Sequence, residues 1–529
     1  MVRLLSIILF CLCFIPIPAF SQNSAQDPPP VNATPQALKE KYSTKRVIPD
    51  ASNERIATSE LLVTSALSET VHYRAHVNRT PVYDRHDVIP PFDIVSFSYE
   101  ADGPSKDASR PVFFLFNGGP GSSTIWLHMT GFGPEKVSLD LEASSNEHLQ
   151  LTSEANPGFL IDIGDLVFVD PVGTGLSKPK QDVSVKEYAD IRLDARSMCR
   201  FAETWLEAQG REDSPIYLIG SSYGALRIAG MASHSICGDM RSRIEGMVFI
   251  SGLLDLRARA TRSPFRVMGS FPTWASIIWE ENGSLRKQWN DDKSAFITAA
   301  KSLANEEIGP AMFEELVGTT ESMEQRRNAV LDFLGRENHQ GMTTPNPNME
   351  SIFASRKREG KPVCLYDIRF TCSAGANLPS KGLQALGDAL EVRLAAHLAT
   401  TLNFNLDTDS YVIFLDHLNR VNWGYNFHKS LDGGKGTNMA EALASSMKFI
   451  SNKRNRQGLL PSTPRLMIAS GHYDIVTPFY AIELSLIRAG FKPDSLWIRT
   501  YESGHMMYAE KKTGHQLAAD IRSFVLNAD

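Results

Sequence analysis

Short, unbroken apolar runs recur along the chain. They are Pro-Val-Phe-Phe-Leu-Phe at 111–116, Leu-Val-Phe-Val-Asp at 166–170, Ile-Tyr-Leu-Ile-Gly at 216–220, Met-Val-Phe-Ile-Ser at 247–251 and Arg-Leu-Met-Ile-Ala-Ser at 465–470. None alternates apolar with polar residues, which predicts central strands buried on both faces. A further strand-like stretch is Leu-Trp-Ile-Arg-Thr at 496–500. Helical patterns follow several of these runs, so the chain reads as an α/β protein with a mostly parallel sheet and crossover helices, regular from about residue 90 onward. Between 262 and 436 the strand signals thin out. Helical patterns take over there, at 294–304, 311–317 and 323–334, and 437–451 reads as a helix leading back to the strand at 465. The expectation is a core in two parts, 46–261 and 437–529, interrupted by a mainly helical insertion at 262–436 that caps one end. A separate C-terminal domain fits less well, because strands and candidate site residues resume after the insertion.

The first residues carry a different pattern. Arg3 precedes an apolar run at 4–18, then Ala19-Phe20-Ser21 and polar residues, as in a secretory signal peptide cleaved near residue 21. The run is short and is broken by Pro16 and Pro18, so a membrane anchor is the poorer reading. Residues 22–45 are rich in Pro, Ser, Asn and Gln and read as a flexible leader. The destination expected is the periplasm or the extracellular space. Composition is that of an ordinary globular protein, with 42% hydrophobic and 22% charged residues in 529 and a formal net charge of −6. No basic run suggests nucleic acid as a partner. Beyond the leader four cysteines remain, Cys199, Cys237, Cys364 and Cys372, and three connectivities are open to them. The close pair Cys364 and Cys372 is favoured, with Cys199 and Cys237 following by elimination. No Cys-x-x-Cys or His-Glu-x-x-His occurs, so neither metal nor cofactor is expected.

Chemistry concentrates at strand ends. Gly220-Ser221-Ser222-Tyr223-Gly224 follows the strand at 216–220 and precedes a small-residue helix, the setting of the Gly-x-Ser-x-Gly nucleophile elbow of the α/β-hydrolase fold. Only Ser222 has glycine at both −2 and +2. A serine hydroxyl needs a base, and the base an orienting carboxylate. In this fold the acid and the histidine come later in the chain, in that order. Asp474, in Ser470-Gly471-His472-Tyr473-Asp474, follows the strand at 465–470, and His505, in Glu502-Ser503-Gly504-His505-Met506, follows 496–500. Both sit at carboxyl ends of strands, where open α/β sheets build their sites. His472 is a rival base, but stands too near Asp474 in sequence to be oriented easily by it. Asn117-Gly118-Gly119-Pro120-Gly121-Ser122 follows the strand at 111–116 and offers backbone N–H groups for an oxyanion. Gly433-Gly434-Lys435-Gly436-Thr437 lacks the spacing of a phosphate loop.

Together these blocks, with Phe168-Val169-Asp170-Pro171-Val172-Gly173-Thr174-Gly175-Leu176-Ser177, resemble the serine carboxypeptidase family, peptidase family S10, and look most like its bacterial members. The resemblance implies an α/β-hydrolase with a helical insertion that removes residues one at a time from peptide C-termini. It implies Ser222 as nucleophile, Asp474 as orienting acid and His505 as base. The N–H groups of Gly119 and Tyr223 would form the oxyanion hole, and Asn117 with Gly118 would bind the substrate, Asn117 at its C-terminal carboxylate. Two positions depart from the pattern. Ser221 and Gly131 stand where relatives place a hydrogen-bonded pair of glutamates that helps hold the substrate carboxylate, and Ser122 stands where many have cysteine. The loss of the acid pair keeps an esterase or acyltransferase open on the same triad, and predicts a less acidic working range. A catalytically silent binding protein is the third reading. Asn32, Asn78 and Asn282 lie in glycosylation patterns.

Overall fold

The computed structural model describes residues 54–527 apart from internal stretches, the longer being 84–90, 103–108, 141–149, 257–262, 336–356 and 416–437. The expected signal peptide and leader, Asn32 and the 433–437 glycine cluster lie outside the described residues. Among those described, the main sheet strands are β1 (Glu54–Thr64), β2 (Thr70–Val82), β3 (Phe92–Ala101), β4 (Val112–Phe116), β5 (Asp165–Val169), β6 (Ile216–Ser221), β7 (Ile244–Ile250), β8 (Arg465–Gly471) and β9 (Leu496–Tyr501). They lie in the order β1-β2-β3-β5-β4-β6-β7-β8-β9, with Lys178–Pro179 pairing β3 as a short extra strand.

From β5 to β9 every neighbouring pair is parallel, whereas β1, β2 and β3 form an antiparallel meander that joins β5 antiparallel. A parallel sheet with reversed order at β5-β4, and a serine elbow after β6, is the α/β-hydrolase arrangement expected from the motifs. The regular strands begin earlier than residue 90, however. β1 and β2 carry partly or fully exposed polar residues such as Arg74 and Arg79, so they lack the solid apolar signature of the central runs.

Side chains from successive strand residues enter opposite faces. Phe114, Phe116, Leu218, Phe249 and Ile468 meet Trp205 and Phe201 of α1 (Ile191–Gln209), Ile228 of α2 (Tyr223–Ala232) and Leu443 of the Met439–Gln457 helix on one face. Phe113, Leu115, Ile219, Val248 and Met467 meet Leu517, Ile521 and Phe524 of the Lys511–Leu526 helix on the other.

The interval 262–436 feeds several cores. Helix α3 (Pro264–Glu281), α4 (Lys293–Leu303), α5 (Gly309–Val317) and α6 (Met323–Leu334) surround their own cluster of Phe271, Trp279, Phe296, Ile308, Met312 and Leu334. Phe479, Tyr480 and Leu484 from α9 (Phe479–Arg488) complete it. By contrast α7 (Gly382–Leu402) places Leu386, Leu390, Leu394 and Leu398 in the sheet's second core. Between them, in chain order, α8 (Met439–Gln457) returns the chain to β8.

Both favoured disulfides are present: Cys199–Cys237 and Cys364–Cys372, with Cα atoms 5.1 and 5.0 Å apart. Asn78 is fully buried and donates to Ser98 Oγ at 2.8 Å, so the folded chain offers no room for sugar there. Asn282 instead caps a helix, accepting from the Leu285 N–H at 2.9 Å.

Candidate active site

The sheet's parallel register aligns the loops that matter. Ser221 lies beside Ile250, and Ile250 beside Ala469, so the carboxyl ends of β6 and β7 finish level and β8 runs two residues further. Strands are about 4.8 Å apart, which sets Ser222 and Asp474 at one edge with only β7 between their strands. Ser222 has φ +56° and ψ −119°, an uncommon backbone conformation for a non-glycine residue, as it turns from β6 into α2. Its N–H donates to the Ile250 carbonyl at 2.8 Å.

The turn needs its glycines for closeness. A Cβ on Gly220 would sit 2.3 Å from the Gly224 carbonyl oxygen, and one on Gly224 only 2.4 Å from that of Phe116. Gly118 makes the same argument for the neighbouring loop, since its Cβ would fall 2.6 Å from the Ser222 Cβ. The glycine-rich loop is therefore pressed against Ser222, while Gly119 beyond it is exposed. A buried pair anchors the loop from below. Arg227 donates through Nε to Asp194 at 2.9 Å and through NH1 to the Asn117 carbonyl at 2.7 Å, and the Tyr223 hydroxyl shares the Asp194 oxygen at 2.9 Å.

Asp474 is fully buried and meets a convergent set of donors. Its Oδ1 accepts the N–H groups of Val476 and Thr477 at 2.9 and 3.0 Å. Its Oδ2 lies 2.5 Å from Thr477 Oγ1 and 2.6 Å from His505 Nδ1. Thr477 Oγ1 also reaches the Ser251 carbonyl, and Ser251 Oγ donates to the His505 carbonyl, both at 2.8 Å. Ser251, at the end of β7, thus links the loops of the acid and the histidine. His472 stays outside this set. Its Nδ1 lies 2.9 Å from Glu502 Oε1, in a rim cluster that also holds Lys293 and Tyr473. Burial alone would raise the Glu502 carboxyl, but His472 and Lys293 hold it well below the ordinary range.

The disulfide-closed loop 364–372 braces His505. The His505 N–H donates to the Tyr366 carbonyl at 2.7 Å, and the Tyr366 ring lies 4.4 Å from the imidazole, centre to centre. Arg369 ties the same loop down, pairing with Asp367 at 2.9 Å and Glu510 at 3.1 Å, and donating to the Glu502 carbonyl at 3.2 Å. Burial pushes the Glu510 carboxyl up to about 7 despite Arg369 beside it.

On the other side of Ser222, Asn117 Oδ1 accepts the Leu127 N–H at 3.0 Å. The Tyr508 hydroxyl is hydrogen-bonded to both Asn117 and Ser221. Gly131 faces that ring, its Cβ position lying 3.7 Å from Tyr508 Cβ. So the structure brings Ser222, Gly118, Gly119, Tyr223 and Asn117 together at one edge and couples Asp474 directly to His505. Sequence reasoning missed Thr477, Ser251, Tyr366 and Tyr508, which belong to no recurring pattern; proximity of Thr477 to Asp474 and of Tyr508 to His505 was the sole signal. Among the described residues no group of His, Cys, Asp and Glu could hold a metal ion, and no helix is long and apolar enough to cross a membrane.

Comparison with known proteins finds a match in the segment that carries the loop and the elbow. Residues 97–268, which hold the glycine-rich loop and the elbow, match the family model of serine carboxypeptidases. The match agrees with the resemblance that the motifs of this segment carry. Within the chain, 143 residues are 30% identical to the pheromone-processing carboxypeptidase KEX1 of Ogataea parapolymorpha, covering 26% of this chain and 21% of that protein. The chain thus spans about a fifth of the length of that curated relative. Among solved structures, the prohormone-processing carboxypeptidase KEX1 of Saccharomyces cerevisiae is similar over 86% of this chain and 91% of its own, at 15% identity and a TM-score of 0.49. A proline iminopeptidase of Mycobacterium smegmatis is similar over 85% of this chain and 100% of its own, at 13% identity and a TM-score of 0.36.

Proposed function

We propose that the protein is an exported serine-type carboxypeptidase that works through Ser222, His505 and Asp474. The observation that carries this reading is the buried His505–Asp474 hydrogen bond of 2.6 Å at the sheet edge where Ser222 is held at φ +56° under a glycine-rich loop. His505 Nε2 takes the Ser222 proton as Oγ attacks the scissile carbonyl. Asp474, fixed by Thr477, holds the imidazole by Nδ1 and stabilises the charge it gains. The N–H groups of Gly119 and Tyr223 receive the oxyanion. His505 then gives its proton to the leaving amine. Water, deprotonated by the same histidine, releases the acyl group from Ser222 and restores the enzyme. Asn117 and Gly118 bind the substrate beside the elbow, Asn117 at its terminal carboxylate. The helices over 264–334 serve as the cap that shapes the side-chain pockets.

A second reading is an esterase or acyltransferase on the same triad, favoured by Ser221 and Gly131, which leave no acid pair beside Asn117. A digest of paired peptides, one with a free C-terminal carboxylate and one amidated, separates the two. Loss of single residues from the free peptide alone is expected. Equal cleavage of both, or rapid ester hydrolysis with neither peptide cleaved, overturns the carboxypeptidase reading. S222A should lower kcat/KM by at least about 10⁴-fold and abolish labelling by a fluorophosphonate.

A further inference from the structure

One buried guanidinium touches both pieces of backbone that carry the oxyanion donors. Arg227 is fully buried and stands one turn along α2 from Tyr223, so the two side chains leave the same face of the helix. Both reach Asp194 Oδ2 on α1, Arg227 through Nε and Tyr223 through its hydroxyl, each at 2.9 Å. Arg227 Nη1 donates in the other direction, to the Asn117 carbonyl of the glycine-rich loop at 2.7 Å. Its Nη2 finds no partner among the described residues, so the guanidinium is held by these two bonds and by the rings of Tyr223 and Phe116, 5.1 and 5.9 Å away. The backbone at both ends of this bridge lies in contact. A Cβ on Gly118 would stand 3.1 Å from the Tyr223 nitrogen, and one on Gly224 would stand 3.0 Å from the Asn117 oxygen. Residues 117 and 118 therefore run directly against the first turn of α2.

We propose that Arg227 and Asp194 are positioning residues that fix the Gly119 N–H, two residues beyond Asn117, relative to the Tyr223 N–H, and so hold the oxyanion hole in its working geometry. This rests on the reading of Ser222 as nucleophile with Gly119 and Tyr223 as donors, and it holds for a peptidase and an esterase alike. A pair of donors lowers the barrier only when both already aim at the place where charge develops. The glycines that let the loop approach Ser222 also leave its backbone free, and Gly119, at φ +107°, is exposed. Such a loop cannot set its own register. A bond from the helix that carries the second donor can. Stability is a weaker account of the pair, because desolvation offsets much of the attraction between buried charges and an apolar pair of similar volume is often as stable. What an apolar pair lacks is direction. The planar fork of arginine serves carboxylate and carbonyl at once, which the single ammonium of a lysine does less well.

R227K keeps the charge and loses the fork. On a simple ester, kcat should fall roughly 10- to 100-fold with KM within about twofold, as expected when donors used in the transition state are misaligned. Rates are taken per active site, counted from the final extent of fluorophosphonate labelling, so that a misfolded fraction does not enter. Phenylboronic acid forms a tetrahedral adduct on the serine with one oxygen in the hole, and its Ki should rise by about the factor by which kcat falls. The pH midpoint of kcat/KM should not move, because His505 and Asp474 keep their partners. Y223F removes only the hydroxyl that shares Asp194 and retains the backbone N–H; the same pattern is expected at about three- to tenfold. If R227K does not fold, the Y223F result decides. An unchanged kcat per labelled site, a rise in KM at constant kcat, or an unchanged Ki for the boronic acid overturns the positioning role, while labelling of the wild type leaves Ser222 as nucleophile. A wild type that takes no label, or an S222A variant that still takes it, overturns that reading and the role together.

Discussion

At the scale of single residues, the site depends on side chains whose work is to hold others. Thr477 is the clearest case. Its hydroxyl touches Asp474 Oδ2 and the Ser251 carbonyl, and lies 3.2 Å from His505 Nδ1. T477V keeps the shape and both backbone donors to Asp474 but removes this bridge. We expect kcat to fall about tenfold with KM nearly constant, because the bridge orients the imidazole and does not bind substrate. Steady-state kinetics on one peptide checks it; an unchanged kcat would deny the hydroxyl any positioning role. The candidates Ser222, Asp474 and His505 stand out in the sequence because glycines and strand ends mark them. Thr477 and Ser251 do not, since a hydroxyl that satisfies a buried carboxylate looks, in sequence, like any other.

Among elements, the loop 364–372 matters out of proportion to its size. It packs Tyr366 on His505 and donates the Ile368 N–H to the Tyr473 carbonyl at 3.0 Å, next to Asp474. Cys364 and Cys372 close it. In a C364S/C372S double variant the loop loses its closure, and kcat/KM should fall several-fold or more. Cys199–Cys237, remote in the α1 region, provides the comparison: C199S/C237S should lower the melting temperature more than it lowers activity. The outcome that counts against this assignment is full activity in the first variant. Central strands β4 to β8 were readable as elements from their apolar runs alone. The antiparallel strands β1 and β2 were not, because a half-exposed antiparallel strand keeps polar residues on one face. The leucines of α7 were equally opaque: spacing predicts a buried stripe but not which core receives it.

For the whole molecule, one buried acid ties stability to pH. Asp170 accepts the Thr124 N–H at 2.8 Å through Oδ1, while Oδ2 has no partner among the described residues. Burial pushes its carboxyl from 3.8 to about 7. A raised acid pKa means that the folded chain keeps the proton longer than the unfolded one. The contribution is thus whole below about pH 4 and is lost as pH rises through about 7. Compared with D170N, which cannot ionise, wild type should lose relative stability between pH 5 and pH 8, by on the order of 1–4 kcal/mol. Denaturant melts of both proteins at the two pH values test this. A difference that is independent of pH would mean that Asp170 is ionised in the fold throughout.

The shared packing of α9 has a consequence for how such proteins diversify. Phe479, Tyr480 and Leu484 lie only a few residues beyond Asp474, yet their side chains finish the core of helices 264–334. This helical group is therefore not a portable module. Grafted alone onto another hydrolase, it would expose the cluster around Phe296 and Trp279. Any lineage that exchanges these helices must change both sides of that boundary at once, so sequence change is easiest on their outer surfaces and hardest at their root.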